Sequence, residues 1–540
     1  MRRREFVTLV ARAGGSAAAL GTMDALGLLP RGPDRAFALG GSGRGRRVLV
    51  LGAGLTGMAA AYELGKLGYD CRVLEARARS GGRCWTLRGG TEVVELDGTR
   101  QRCEFSAGQY LNAGPMRIPH TLPIVLDYCR ELGVAVEPFV LRNEATFLFA
   151  DAAHGPVAGR GAPADSAPAP VGPLGNRRVR VREARTDVLG FTAELLAKAV
   201  NQGALDAEVT AQDRAAFLDY LRQLGLLDGE GRYGPRSARG WSAIPTVGAD
   251  SGRVADPLAL RDLVQAGFAN RVADEHFILL QPTLLQVTGG TDELARALER
   301  RLPGKVRLGA EVVELRREGA GARVVVREGG RLREERADAV VCTLPSTILA
   351  RIPGDLSPAH RHALASLPQM VAGKAGLEFD RRFWEEDDRV YGGVSVTNLP
   401  SSQIYYPSHG FLGARGVLIG YYVFGARAEA INRLAPRDRL ERALADGERI
   451  HPPYRRHFRT GTSVAWERIP FSEGGWARWT DEARRNAYPV LLEPDGPFVL
   501  AGDYLTHHSG WMAGAFLSAR DAAAKVHARL SQLTPTAKQP

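Results

Sequence analysis

The 540-residue chain is poor in cysteine, and its five cysteines (Cys71, Cys84, Cys103, Cys129, Cys342) follow neither C-x-x-C nor any metal-ligand spacing. That excludes a disulfide scaffold and a zinc module. The five read as small buried residues, and a bridge such as Cys103–Cys129 is not readable from sequence. A long apolar run is missing too: the N-terminal stretch Val7 to Leu29 is broken by Arg12 and Asp24 and is too short and polar for a stable membrane span. Net charge is +11, yet no dense Lys/Arg block occurs. Six arginines against Glu5, Asp24 and Asp34 place +3 of that charge in the first 38 residues. A nucleic-acid partner is therefore not expected. What is there is a composition of 44% apolar and 24% charged residues, that of a globular protein with room for two or three domains. Arg3-Arg4-Glu5-Phe6-Val7 fits a twin-arginine start, and Ala36-Phe37-Ala38 offers an A-x-A cleavage site. Residues 1–38 are read as an export signal. The mature chain then starts near Leu39, in the periplasm or outside the cell.

The stretch from Arg46 to Trp85 organises the rest. Val48-Leu49-Val50-Leu51 predicts a buried strand, Gly52-Ala53-Gly54-Leu55-Thr56-Gly57 a G-x-G-x-x-G turn, and Met58 to Leu67 an apolar helix stopped by Gly68. A second strand, Cys71 to Leu74, delivers Glu75, 18 residues past Gly57. Gly52 permits the tight turn, Gly54 lets backbone approach a pyrophosphate, and Gly57 lets helix and strand pack closely. Amides at the helix start, at Leu55 and Thr56, suit phosphate, and Glu75 is spaced to accept ribose hydroxyls. A bound dinucleotide in a Rossmann-type α/β domain is the expectation.

Glu75-Ala76-Arg77-Ala78-Arg79-Ser80-Gly81-Gly82-Arg83 then adds a second glycine turn carrying guanidinium groups, which suit the extra phosphate of a flavin dinucleotide. At this E-A-x-x-R-x-G-G-R segment the chain resembles the flavin-containing amine oxidases. The resemblance implies FAD, with Glu75 on the adenosine ribose, Arg83 near the diphosphate, and Ala76 and Arg77 among the cofactor-binding residues. Gly114-Pro115-Met116-Arg117-Ile118-Pro119 is similar to a segment of the L-amino-acid oxidase branch, where the backbone runs along the flavin and the arginine pairs with the substrate carboxylate. A planar guanidinium suits that task because it grips a carboxylate bidentately. Lys374 stands nine residues before Phe383-Trp384, the family spacing for a lysine that holds a water near the flavin and aids reaction with oxygen. A lysine among apolar strand residues is costly unless used. Leu399 to His409 resembles the segment whose tyrosine meets the carboxylate. Alternation along a strand leaves open which of Tyr405 and Tyr406 faces the site.

The resemblance continues to the C-terminus. It places a backbone contact to adenine at Val312. Thr291 stands where the family has methionine, and Asp503 where a glutamate meets the ribityl chain. Gly510, Trp511, Met512 and Ala515 form a helix start aimed at the flavin, where negative charge develops on reduction, with Trp511 as a wall of the substrate site. Trp476 replaces the cysteine that attaches flavin covalently in monoamine oxidases, so FAD is expected to be non-covalent. Trp476 is also a candidate pocket wall, while His507 and His508 read as loop residues.

The expected architecture is α/β: a Rossmann-type FAD-binding domain built from 46–120, 271–345 and 471–530, a mixed-sheet substrate domain at 346–470, and a largely helical insert at 121–270 that roofs the site. Within the insert, helices are expected over Thr121 to Leu132, Thr186 to Val200, Ala211 to Leu224 and Leu260 to Ala269, with a long surface loop over Asp151 to Gly175. Val306 to Leu315 reads as one strand. The resemblance implies oxidative deamination of an L-amino acid by hydride transfer from Cα, giving a 2-oxo acid, ammonia and hydrogen peroxide. The partners are then the amino acid and O2, in a homodimer. The same residues would serve an amino-acid 2-monooxygenase that turns Trp or Phe into an amide and CO2, or a monoamine oxidase. A flavoprotein fold that has lost its chemistry is the reading from a different class.

Overall fold

The computed structural model describes residues 37–157, 170–201, 210–245, 251–273 and 278–532. The expected export signal lies outside them as far as residue 36. Phe37 and Leu39 pack against the apolar core that holds Val48, Val50 and Val341, and Arg520 lies over the Phe37 ring at 5.3 Å.

A five-stranded parallel sheet runs in the order Val306–Leu308, Asp70–Glu75, Arg47–Leu51, Ala339–Cys342, Phe498–Leu500. The chain leaves its central strand first to one side and later to the other. The crevice at the strands' carboxyl ends is therefore a topological switch point, where α/β sheets bind ligands. Val48 to Leu51 are wholly buried because both faces of the sheet are covered. On one face lie the helices Leu55–Lys66 and Met512–Gln532, which meet through alanines at 59 to 61, 519, 522 and 523. The other face carries an antiparallel meander, Glu311–Glu318, Gly321–Glu328 and Arg331–Ala337.

A second, seven-stranded sheet runs Arg178–Arg180, Phe147–Phe149, Gly393–Thr397, Gln403–Tyr406, Gly416–Phe424, Ala372–Phe379, Phe458–Ala465. It is antiparallel except where Gly393–Thr397 meets Phe147–Phe149. All eight residues of Ala372–Phe379 are buried, Lys374 among them. A small sheet of Ile118–Pro119, Leu284–Val287 and Val136–Phe139 lies beside the segment that leads to Arg117.

Several expected elements differ in detail. The first insert helix begins at Pro123 and ends at Leu132, closed by Gly133 in the left-handed conformation. The expected helix from Leu260 breaks into Leu260–Gln265 and Phe268–Ala273 at Gly267, where an added Cβ would lie 2.1 Å from the Val157 carbonyl oxygen. Val306 to Leu315 is two strands, parted at Gly309 with φ +69°. Of the expected surface loop over 151–175, residues 158–169 lie outside the described residues; on either side of them Val157, Val171 and Leu174 are buried in one cluster with Ala184, Leu263 and Phe268. The insert also contributes strands, two of which edge the seven-stranded sheet, so its character is mixed. Its long helices Val181–Asn201 and Ala211–Gly225 pack against each other through Ala193, Ala197, Val200 and Leu221.

All five cysteines are buried and free, so no Cys103–Cys129 bridge forms. Among the described residues no His/Cys/Asp/Glu group could hold a metal ion, and no helix is long and apolar enough to cross a membrane.

Candidate active site

A cleft of about 500 Å³ opens at the switch point and runs from Glu75 to Tyr422 and Trp511. Its floor is the glycine turn. Gly52 sits at φ +101°, and a Cβ on Gly57 would lie 2.0 Å from the Gly52 carbonyl oxygen, so the turn and helix close on each other only with glycine there. Gly54 is the N-cap of Leu55–Lys66; it offers no side-chain cap, and its own Cβ position is open space. The amides of the first helical turn thus look into the cleft past a residue with no bulk.

Glu75 is buried at the end of its strand. Its Oε2 accepts from the Ala53 amide at 2.9 Å and its Oε1 from the Arg77 amide at 3.0 Å. The Arg77 guanidinium is committed to the Pro470 carbonyl (2.8 Å) and Ser472 Oγ (2.7 Å). Arg83 donates to the Gly475 carbonyl at 2.6 Å and to Asp503 Oδ1 at 2.5 Å, while Asp503 Oδ2 accepts from the Gly510 amide at 2.7 Å. The two side chains that the family pattern sends to different parts of the cofactor are joined in one ion pair, which ties the second glycine turn to the start of Met512–Gln532.

At the far end the site is built on the strand carrying Lys374. Antiparallel register sets Lys374 opposite Tyr422. Its Nζ donates to the carbonyls of Asn112 (2.9 Å) and Gly114 (2.5 Å) and lies 4.3 Å from the Tyr422 ring centre. Complete burial, with the Arg117 charge second, holds the amine's pKa well below the ordinary lysine value. Arg117 lies over the Trp511 ring at 5.6 Å, and its Nε is buried with no hydrogen-bond partner among the described residues. Burial pushes the Tyr422 hydroxyl up to about 12 against the pull of Arg117, so it stays a hydrogen-bond donor at ordinary pH. Tyr422, Phe424 and Trp476 then form an aromatic run, with ring centres 4.4 and 5.3 Å apart, from the lysine toward solvent.

The sequence-derived residues distribute as follows. Gly52, Gly54, Leu55, Thr56, Glu75, Ala76, Arg77 and Arg83 line the cleft, as do Gly114, Pro115, Val312, Asp503, Gly510, Trp511, Met512, Ala515 and Trp476. Gly57 lies beneath it in the helix. Met116, Tyr405 and Tyr406 line a separate small cavity together with Asn112, His409 and Ile419. The Tyr405 hydroxyl donates to Gln403 Oε1 at 2.7 Å, and its ring meets Tyr422 edge-on at 6.0 Å. The Tyr406 hydroxyl is buried 2.7 Å from Ser395 Oγ and 2.6 Å from His451 Nε2, which makes it a core residue turned away from the cleft. Tyr422 and Trp466 were not found from sequence. Alternation along Gly416–Phe424 would have separated core Tyr421 from cleft-facing Tyr422 once that strand was paired with the lysine strand.

A flavin dinucleotide fits these residues. A long cleft joins two helix starts, and a glycine leaves its backbone approach clear. Arg117 and Lys374 are not among the residues that line it; they stack on Trp511 and Tyr422, which are.

The chain matches the family described as flavin containing amine oxidoreductase over residues 55–527. It is 28% identical over 506 residues to an L-amino-acid oxidase of Siganus canaliculatus, covering 89% of this chain and 85% of that one. It is 24% identical over 498 residues to one of Pseudechis australis, covering 89% and 87%. Among solved structures it resembles a wild-type putrescine oxidase bound to putrescine (21% identity, 89% and 99% covered, TM-score 0.55) and the cyclohexylamine oxidase of Brevibacterium oxydans (18%, 90% and 100%, TM-score 0.58). These two likenesses concern the fold alone.

Proposed function

The chain belongs to the flavin-containing amine oxidoreductases, and on that premise we propose that it is an FAD-dependent L-amino-acid oxidase. The observation that carries this reading is Arg117: a guanidinium beside Trp511, with a buried Nε that no described residue satisfies. A substrate without a carboxylate gives such a group nothing to bind. Arg117 grips the acid end of the amino acid, and the Tyr422 hydroxyl donates alongside it. Trp476 and Trp511 enclose the α-carbon and exclude water. Bound FAD would supply the redox chemistry, taking hydride from the carbon that bears the amine and passing both electrons to O2 as hydrogen peroxide. The released imino acid hydrolyses to a 2-oxo acid and ammonia. Gly52 to Thr56 and Glu75 would hold the dinucleotide, and Lys374 orders the backbone that leads to Arg117 by taking the Asn112 and Gly114 carbonyls.

The flavin is held without a covalent bond. Cys84, the cysteine at the cleft wall, donates its thiol to the Thr291 carbonyl, and burial pushes its pKa up to about 12, far from a reactive thiolate. Acid precipitation should release all the flavin into the supernatant. The twin-arginine start supports export of the folded, loaded protein, which N-terminal sequencing of secreted material beginning near Leu39 tests.

The deciding experiment is a peroxide-coupled screen of L-amino acids alongside tyramine, with product analysis. Arg117→Met should raise KM for the best amino acid about a hundredfold, some ~3 kcal/mol, the scale for truncating one partner of a desolvated charge pair. Turnover of tyramine alone, or an unchanged KM, overturns the reading. An amide formed without peroxide assigns the protein to the 2-monooxygenases instead.

A further inference from the structure

Every carbonyl from Asn112 to Pro115 is held by a side-chain donor, and the donors come from three separate segments. Lys374 Nζ takes Asn112 and Gly114, at 2.9 and 2.5 Å. Trp466 Nε1 takes Ala113 at 3.0 Å, and Thr291 Oγ1 takes Pro115 at 3.0 Å. Backbone pairing fixes the ends: Leu111 and Asn112 pair with Leu87 and Thr86, Ile118 and Pro119 with Leu285 and Leu284. Thr291 also secures the Asn112 side chain. Its amide donates to Asn112 Oδ1 at 3.0 Å and its hydroxyl is shared with the same oxygen at 3.2 Å, beside the Thr86 hydroxyl at 2.8 Å. Thr291 is wholly buried at the start of Asp292–Arg300, and Arg88 grips Asp292 at 2.8 and 2.9 Å, so the donor is itself anchored.

Arg117 follows Pro115 by two residues. Its Nε has no acceptor among the described residues, so the guanidinium is located by the Trp511 ring it lies over, at 5.6 Å, and by the backbone that carries it. A bidentate grip tolerates little displacement, so whatever fixes 112–115 fixes where that grip falls. We propose that Thr291 is a positioning residue for carboxylate recognition: by holding Pro115 and Asn112 it sets where Arg117 meets the acid group of the substrate. The proposal rests on the carboxylate-clamp reading above. A methionine at this position, as in the family pattern, has no hydroxyl to give, so the device belongs to this chain.

The test uses the flavin-loaded protein and two matched probes, 3-phenylpropanoate (acid without amine) and 2-phenylethylamine (amine without acid), with Kd measured by calorimetry. Thr291→Val should weaken 3-phenylpropanoate roughly tenfold, the scale of one lost hydrogen bond beside an unsatisfied carbonyl, and leave 2-phenylethylamine within about twofold. KM for the amino acid should rise by the same factor with kcat nearly constant, and Thr291→Ser should restore both. Equal losses for the two probes, or no rescue by serine, mean a merely structural role and overturn the proposal. Arg117→Lys, measured alongside, separates the two claims. If it weakens the acid and Thr291→Val does not, the positioning role falls and the clamp stands. If neither variant moves that constant, both fall, and if only Thr291→Val does, Thr291 does not act through Arg117.

Discussion

Two tyrosines near the lysine strand differ in what their hydroxyls can do, and the difference is testable one residue at a time. Tyr422 keeps its proton at the cleft and faces the field of Arg117. Tyr406 is spent inside the core between Ser395 and His451. Tyr422→Phe should raise KM for the amino acid about five- to tenfold with kcat little changed, whereas Tyr406→Phe should leave KM alone and cost about 1–3 kcal/mol of stability by stranding buried partners. Steady-state kinetics and denaturant titration read the two effects. His409 makes a different residue-scale prediction. It stacks on Tyr110 at 4.6 Å, and burial, with Arg382 nearby, pushes its pKa down to about 4. The unfolded chain binds a proton at His409 near pH 6.5, the folded one only near 4. Its contribution is therefore whole above about pH 6.5, declines by about 1.4 kcal/mol per pH unit as pH falls, and is fully lost below the folded value. His451, buried and lowered too, acts in the same direction. His409→Phe, which keeps a ring on Tyr110, should flatten the fall of Tm between pH 6.5 and 4.

Among the elements, the strand–turn–helix from Arg47 to Lys66 was the most legible in sequence, because each local requirement pointed the same way: an apolar run covered on both faces, glycines where a side chain would collide, and an acid at the next strand end. Gly57→Ala would drive a methyl to 2.0 Å from the Gly52 carbonyl oxygen, so the turn must open. The expected outcome is a folded protein with the flavin absorbance largely lost and about 1–3 kcal/mol less stability. The far end of the cleft was less legible. Local pattern singles out Lys374 and Arg117, but which tyrosine joins them depends on strand register between segments some fifty residues apart. The ion pair of Arg83 with Asp503 links residues 420 apart. Breaks at Gly267 and Gly309 escaped the pattern because their causes, a carbonyl of another segment and a change of sheet, are tertiary.

At the scale of the whole molecule, a buried polar node adds to the apolar clusters that hold the described part of the insert together. Asp187 is fully buried and accepts from Arg239 at 3.0 and 3.1 Å, from the Tyr233 hydroxyl at 2.7 Å and from the Leu258 amide at 2.7 Å. Asp187→Ala leaves a buried guanidinium unpaired, a loss of about 3–5 kcal/mol. Hydrogen exchange should then show the helices Val181–Asn201 and Ala211–Gly225 opening while both large sheets stay protected. The buried cysteines carry a consequence of another kind. If the chain turns over as proposed, it sheds peroxide and is bathed in an oxidant of its own making, and oxidant attack on sulfur begins at an accessible thiolate. All five cysteines are buried, Cys84 at the cleft wall among them, with thiol pKa values pushed up to about 12 at Cys71, Cys84 and Cys342 and about 11 at Cys129, so none offers a ready thiolate. Prolonged turnover without catalase should therefore leave every cysteine unoxidised by mass spectrometry, and the working lifetime of the protein should be limited by something other than sulfenate formation.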